Sequence, residues 1–287
     1  MRPWSRRAFL GGGLATVAAA CTSDRPDQTA AAVESISYGD DPDQVGDLYL
    51  PPGQRGSVPV VVLIHGGFWR VEYARDLMAP LAEDLAARGF AVWNIEYRRV
   101  GQPGGGWPGT FDDVAAAVNR LAPLGSDRGL DLARVVTVGH SAGGHLALWA
   151  AGRHTTTFTQ AGEPETTVAP VAAVAQAGIP NLARCTTDGL GGGACPALMG
   201  GRPDDVPERY AEGSPAEFLP LQIRQLLVHG ERDDIVPVTH SQVYAEAAEA
   251  AGDDVELVVV PDADHFDVID PGHEAWRAVT DRLPDLA

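Results

Sequence analysis

Val135-Val136-Thr137-Val138-Gly139-His140-Ser141-Ala142-Gly143-Gly144-His145 is the stretch on which the fold turns. A β-branched apolar run stops at Gly-x-Ser-x-Gly, and a helix-forming run, Leu146-Ala147-Leu148-Trp149-Ala150-Ala151, follows at once. That order predicts strand, tight turn and helix, with the flanking glycines letting the backbone turn sharply enough to lift the Ser141 hydroxyl clear of a sheet. In a chain with 33 glycines the pentapeptide could match by chance, so the rest of the sequence has to decide.

Upstream, Val58-Pro59-Val60-Val61-Val62-Leu63-Ile64 is a nearly continuous apolar run, the mark of a strand buried on both faces. Leu77, Leu81 and Leu85 carry helical spacing over residues 76–88, with Gly89 as the stop, and Phe90 to Tyr97 reads as the next strand. Thr110 to Leu121 reads as a helix with acids in its first turn. Val33 to Leu50 alternates around Gly-Asp turn signals and ends at Pro51-Pro52, as an antiparallel hairpin or a pair of edge strands would. Downstream, strands are expected at 168–178, 225–228 and 255–260, and helices at 241–251 and about 273–283. Residues 181 to about 220 break this rhythm with glycines, prolines and two cysteines, and read as an irregular insertion over the active-site end, a lid or binding loop. Strands alternating with helices imply an α/β fold, a mostly parallel central sheet covered by helices on both faces, with ligands at the carboxyl ends of the strands.

Composition narrows the function classes. At 287 residues, 45% hydrophobic and 21% charged, the chain can bury a full core. Its early apolar stretch, Ala8 to Ala20, is too short to cross a bilayer and follows Arg2, Arg6 and Arg7 with no acid before Asp24, so residues 1–20 read as a signal peptide. Ser5-Arg6-Arg7-Ala8-Phe9-Leu10 resembles a twin-arginine export signal, and Ala18-Ala19-Ala20-Cys21 resembles a lipobox, although Ala18 departs from the usual Leu, Val or Ile. The expected organisation is a lipidated Cys21, a flexible tether over 21–33 and a catalytic domain over 34–287. The product would be an exported cell-surface or periplasmic lipoprotein, or a secreted protein if Cys21 is not lipidated. Losing three arginines and no acid moves the formal charge from −18 to −21, which repels nucleic acid and anionic lipid, leaving the lipid anchor as the expected membrane contact. The absence of lysine excludes lysine Schiff bases, P-loops and Ser-Lys dyads. With Cys21 consumed by lipid, Cys185 and Cys195 are left ten residues apart in an oxidising compartment and are expected to form a disulfide.

A serine nucleophile needs a base, an acid to orient that base, and donors for the oxyanion. Candidates stand at strand ends: His65-Gly66-Gly67-Phe68-Trp69 after the 58–64 strand, Asp233 and Asp234 after His229-Gly230, and His265 after the 255–260 strand. His140 and His145 flank the serine, but the base has to approach from a different loop, so both read as packing or hydrogen-bonding residues. His65 is expected to hold its loop by side-chain hydrogen bonds and His229 to pack at its strand end, while His240 and His273 sit near helix starts and read as solvated. No histidine pair has zincin spacing, so no metal is expected. Asp262, Asp264 and Asp267 either crowd His265 with negative charge or are solvated loop carboxylates. Trp69 and Trp107 are candidates for the substrate pocket or for the core.

Together these motifs resemble an α/β-hydrolase of the bacterial esterase/lipase type. The His-Gly-Gly-x-Trp signature is similar to that of the kynurenine formamidase branch and its carboxylesterase relatives. The likeness spans residues 34–287 and implies roles. Ser141 would form the acyl-enzyme, and His265 would act as general base and then acid. Asp233 would orient it, because the pattern His-Gly-x-x-Asp-x-x-Val-Pro places Val236 and Pro237 in register. The oxyanion hole would come from the backbone of Gly67, Phe68 and Ala142, with no cofactor. The substrate expectation is a small or medium carboxylic ester, with an arylformamidase-like amidase as the alternative, then a peptidase, then a non-catalytic binding protein. Export and a cysteine-pinned insertion both sit poorly with a formamidase.

Overall fold

Val60, Val62 and Ile64 face one side of the central sheet and Val61 and Leu63 the other, which is why their strand reads as an almost unbroken apolar run. The structure, a computed structural model, describes residues 31–156 and 167–287. The expected signal peptide, Cys21 and most of the tether lie outside the described residues.

The strands are β1 (Ala32–Ser37), β2 (Val45–Leu50), β3 (Val58–Ile64), β4 (Ala91–Ile95), β5 (Leu130–His140), β6 (Ala172–Gln176), β7 (Arg224–Gly230) and β8 (Val255–Val260). They form one eight-stranded sheet in the order β1-β2-β4-β3-β5-β6-β7-β8. β1 and β2 pair antiparallel with each other, and β2 pairs antiparallel with β4, whereas every pairing from β4 to β8 is parallel. The alternating segment ahead of Pro51-Pro52 is therefore a pair of strands at one sheet edge.

The helices are α1 (Ala79–Ala87), α2 (Gly109–Asn119), α3 (Leu121–Arg128), α4 (Ala142–Gly152), α5 (Leu182–Asp188), α6 (Ala194–Met199), α7 (Pro207–Gly213), α8 (Thr239–Ala251), α9 (Glu274–Thr280) and α10 (Leu283–Leu286). Leu81 and Leu85 of α1 and Trp276 and Val279 of α9 pack on the sheet face that Val61, Val136 and Leu226 present. Phe111 and Val114 of α2, Leu121 of α3 and Leu146 and Trp149 of α4 cover the opposite face. α8 joins α4 on that side through Tyr244, Ala248 and Leu148.

The 181–220 segment is not irregular. It folds into α5, α6 and α7 with short 3-10 turns at Leu190–Gly192 and Pro215–Glu217. Helices of six or seven residues complete fewer than two turns, too short for a 3.6-residue period to show between their glycines and prolines. Asn181 starts α5 by accepting a hydrogen bond from the Arg184 amide at 2.8 Å. Leu182, Leu198, Met199 and Tyr210 are buried into the core shared with α2 and α4, and the Trp107 amide donates to the Leu198 carbonyl at 2.7 Å. This cap packs beside the loops that follow β3 and β4. Cys185 and Cys195 are joined in a disulfide with Cα atoms 6.3 Å apart.

Candidate active site

β5 runs into Ser141 and α4 leaves it. Ser141 itself adopts φ 55° and ψ −118°, a conformation that costs a side-chain-bearing residue roughly 1–3 kcal/mol and persists only where its surroundings enforce it. They do so here: the Ser141 amide donates to the Gln176 carbonyl at 2.7 Å, and the Ser141 carbonyl accepts the His145 amide at 3.2 Å. The flanking glycines have a different task from the expected one. They supply room: a Cβ on Gly143 would lie 2.1 Å from the Ile64 carbonyl oxygen, and one on Gly139 would lie 2.0 Å from the Gly143 carbonyl oxygen. The serine takes the strain while the glycines let strand, turn and helix close on one another.

Asp233 and His265 come from the loops after β7 and β8, which are neighbours in the sheet. His265 Nδ1 lies 2.6 Å from Asp233 Oδ2. Asp233 Oδ1 accepts the amides of Ile235 and Val236 at 2.9 and 2.8 Å. Asp234 is exposed. Burial alone would raise the Asp233 carboxyl, but hydrogen bonds from His229 and His265, the charge of His265 and the Val236 amide outweigh it and hold the group far below the usual carboxylate range.

Two histidines brace the loops that carry this pair, His229 beyond the packing role expected of it and His140 in the hydrogen-bonding role expected. His229 Nε2 donates to the Val236 carbonyl at 2.8 Å and lies 3.2 Å from Asp233 Oδ2, while its Nδ1 accepts from the Ser241 hydroxyl at 2.7 Å. It is thus a second donor on the acid and not simply a packed ring. His140 Nε2 donates to the His265 backbone carbonyl at 2.9 Å, so the residue before the serine fixes the loop that carries the imidazole. The i,i+4 spacing of His229 and Asp233 could have signalled the first; a partner 125 residues away left no local trace of the second.

The loop after β3 runs through three successive left-handed residues, Gly67 at φ 109°, Phe68 at 52° and Trp69 at 56°. Among the described residues the Gly67 and Phe68 amides donate to no backbone carbonyl, and the Ala142 amide, opening α4, is one that a helix leaves without an internal acceptor. His65 anchors the loop from beneath. Its Nδ1 lies 2.8 Å from the Gly66 carbonyl, its Nε2 2.7 Å from Glu96 Oε1, and its ring stacks on Tyr97 at 4.3 Å. Burial would raise the Glu96 carboxyl; the hydrogen bond and charge of His65, the Arg75 amide and the Arg99 guanidinium turn the net shift downward.

Ser141 and His265 open onto a cleft lined also by Gly67, Phe68, Tyr73, Leu77, Ile235 and Phe266. Neither tryptophan candidate is among these. Trp69 is fully buried, edge-on to His145 at 5.3 Å, and Trp107 packs edge-on to Phe111 at 4.9 Å. His240, expected in solvent, is 2% exposed and sits 3.1 Å from Asp188, whereas His273 caps α9 by accepting the Ala275 amide at 3.2 Å. The nearby aspartates shape the loop: Asp264 accepts the Phe266 and Asp267 amides at 2.8 and 3.0 Å, Asp267 accepts the Asp264 amide at 2.8 Å, and Asp262 pairs with Arg232.

The two histidines beside Ser141 make the fold sensitive to acid. Burial drives His140 down to about 3, with the charge of His265 adding to it, and burial drives His145 down to about 4. Each Nε2 donates to a carbonyl, and each Nδ1 is buried with no hydrogen-bond partner among the described residues, so a second proton would be both desolvated and unpaired. The unfolded chain takes up these protons near pH 6.5 and the folded chain does not, so stability is full above that pH and falls as the pH drops. Urea midpoints at pH 7.5 and pH 5 should differ by roughly 2 kcal/mol of stability for each histidine. His145→Gln should remove its share of the difference; an unchanged difference would place the titration elsewhere.

Sheet order, an elbow serine and a histidine–aspartate pair on the loops after β7 and β8 define an α/β-hydrolase fold. The chain belongs to the BD-FAE family, whose model matches residues 46–247. It is similar to isoprenylcysteine alpha-carbonyl methylesterase ICME of Arabidopsis thaliana, at 29% identity over 256 residues, 82% of this chain and 56% of that protein. It is also similar to esterase LipQ of Mycobacterium tuberculosis, at 29% identity over 226 residues, 76% of this chain and 52% of that protein. The chain therefore spans about half the length of these curated relatives. Among solved structures, a truncated form of a carbohydrate esterase from gut microbiota superposes with a TM-score of 0.80 at 21% identity, covering 91% of this chain and 98% of that one, a likeness of fold.

Proposed function

We propose that the protein is a serine hydrolase that cleaves small or medium carboxylic esters through an acyl-enzyme. The observation that carries this reading is the 2.6 Å contact between His265 and Asp233 beside a strained Ser141 on the same cleft. His265 takes the Ser141 proton as the serine oxygen attacks the acyl carbon, and Asp233 stabilises the resulting imidazolium. The amides of Ala142, Gly67 and Phe68 receive the oxyanion. Collapse expels the alcohol, protonated by His265, and a water deprotonated by the same imidazole then releases the acid. The apolar cleft walls suit a short acyl group.

Fluorophosphonate labelling tests the nucleophile. Wild type should label and Ser141→Ala should not; equal labelling, or none of wild type, ends the reading. Turnover of short-chain p-nitrophenyl esters in parallel with N-formylkynurenine separates ester from formamide hydrolysis, and a strong preference for the formamide would reverse the assignment. In this reading residues 1–20 direct export and Cys21 carries the lipid. The buried Cys185–Cys195 bridge supports an oxidising compartment.

A further inference from the structure

We propose that the disulfide-closed glycine loop Gly189–Gly193 positions the Phe68 backbone, acting through Gly191 and Arg70. The proposal rests on the reading of Phe68 as an oxyanion donor. Phe68 and Trp69 bear side chains yet stand at φ 52° and 56°, directly after Gly67 at 109°. Such a run holds only if neighbouring groups over-determine it.

On the inner side they do: the Trp69 ring is fully buried against His145, and the Trp69 carbonyl accepts the Val100 amide at 2.8 Å. On the outer side the neighbour is the cap. The Phe68 ring lies so close over Gly191 that a Cβ there would be 2.6 Å from the ring. Arg70, two residues further on, donates its guanidinium hydrogen bond to the Gly191 carbonyl. One cap residue thus touches the loop twice, once through the ring that lines the cleft and once through the residue that follows the left-handed run.

Alone, that cap loop would be a poor wall. Gly189, Gly191, Gly192 and Gly193 take φ of 66°, 57°, 60° and 88°, and glycine loses more freedom on ordering than any other residue. Its ends are fixed instead. Cys185 in α5 and Cys195 in α6 are both fully buried and bridged across it. α5 is in turn held to α8, where the Arg184 guanidinium donates to the Thr239 carbonyl and hydroxyl at 3.0 and 2.9 Å. The bridge therefore restrains the five residues whose middle member seats Phe68.

Amide hydrogen exchange and ester kinetics on the full chain test this together. In Gly191→Ala and in Cys185→Ser/Cys195→Ser, exchange over residues 66–70, read at the Arg70 amide that donates to the Gly67 carbonyl at 3.0 Å, should quicken about tenfold or more while β5 and α4 stay protected. In the same variants kcat for p-nitrophenyl acetate should fall about tenfold with KM little changed, the signature of a lost transition-state contact. In a Phe68→Ala/Arg70→Ala background, removing the bridge should not quicken 66–70 further. Unchanged exchange at 66–70 in Gly191→Ala overturns the proposal even if the cysteine variant fails to fold, and so does equal quickening by bridge removal in the Phe68→Ala/Arg70→Ala background. If wild type turns over no ester, the exchange result still decides the positioning role, and only the functional reading fails.

Discussion

Replacing Ser141 with alanine is expected to lower kcat by about 10⁶-fold for any ester the wild type accepts, because the attacking atom disappears while the rest of the site stays in place. Alanine keeps the Cβ and the left-handed backbone, so the elbow at φ 55° and the Ser141–Gln176 backbone hydrogen bond should survive the change. KM and thermal stability should move little. Steady-state turnover after removal of contaminating wild type is the measurement, and activity retained above about one per cent would mean that another group attacks the substrate.

The second large effect is at Asp233. Asparagine is the closest isostere, yet this site cannot accept an amide in either orientation. Oδ2 faces the N–H groups of His265 and His229, and Oδ1 faces the amides of Ile235 and Val236, so every direction presents a donor. An NH₂ group turned either way meets hydrogens and not lone pairs. Asp233→Asn should therefore lose roughly 10⁴-fold in kcat, with His265 driven toward the wrong tautomer, and should lose stability as well. Asp234→Ala, at an exposed position with the loop intact, should stay within a few-fold of wild type. Equal losses at the two positions would show that the orienting acid had been misassigned.

These two residues also show where a sequence is informative about such a site. The run from Val135 to Ala151 announces strand, elbow and helix because each element is local, and Asp233 is distinguished from Asp234 by its register with Val236 and Pro237. Cys185 and Cys195 could be paired because only two thiols remained after Cys21. What stayed hidden depends on which strands lie side by side. The order β5-β6-β7-β8 brings the elbow within reach of the His265 loop, and the β3–β4 pairing brings Glu96 under His65. No short-range pattern encodes those approaches. The cap helices were hidden by their brevity, and Trp69 was misleading because its backbone belongs to the cleft loop while its ring belongs to the core.

The strained elbow has a consequence for descent. A serine at φ 55° and ψ −118° is a cost carried only while its hydroxyl is needed. In any lineage freed from hydrolysis, drift to glycine at position 141 would be favoured on folding grounds alone, since glycine meets little penalty there. A serine at this position in a diverged copy would then be a sign of selection for chemistry, and a glycine the mark of a copy that has kept the fold and given up the reaction.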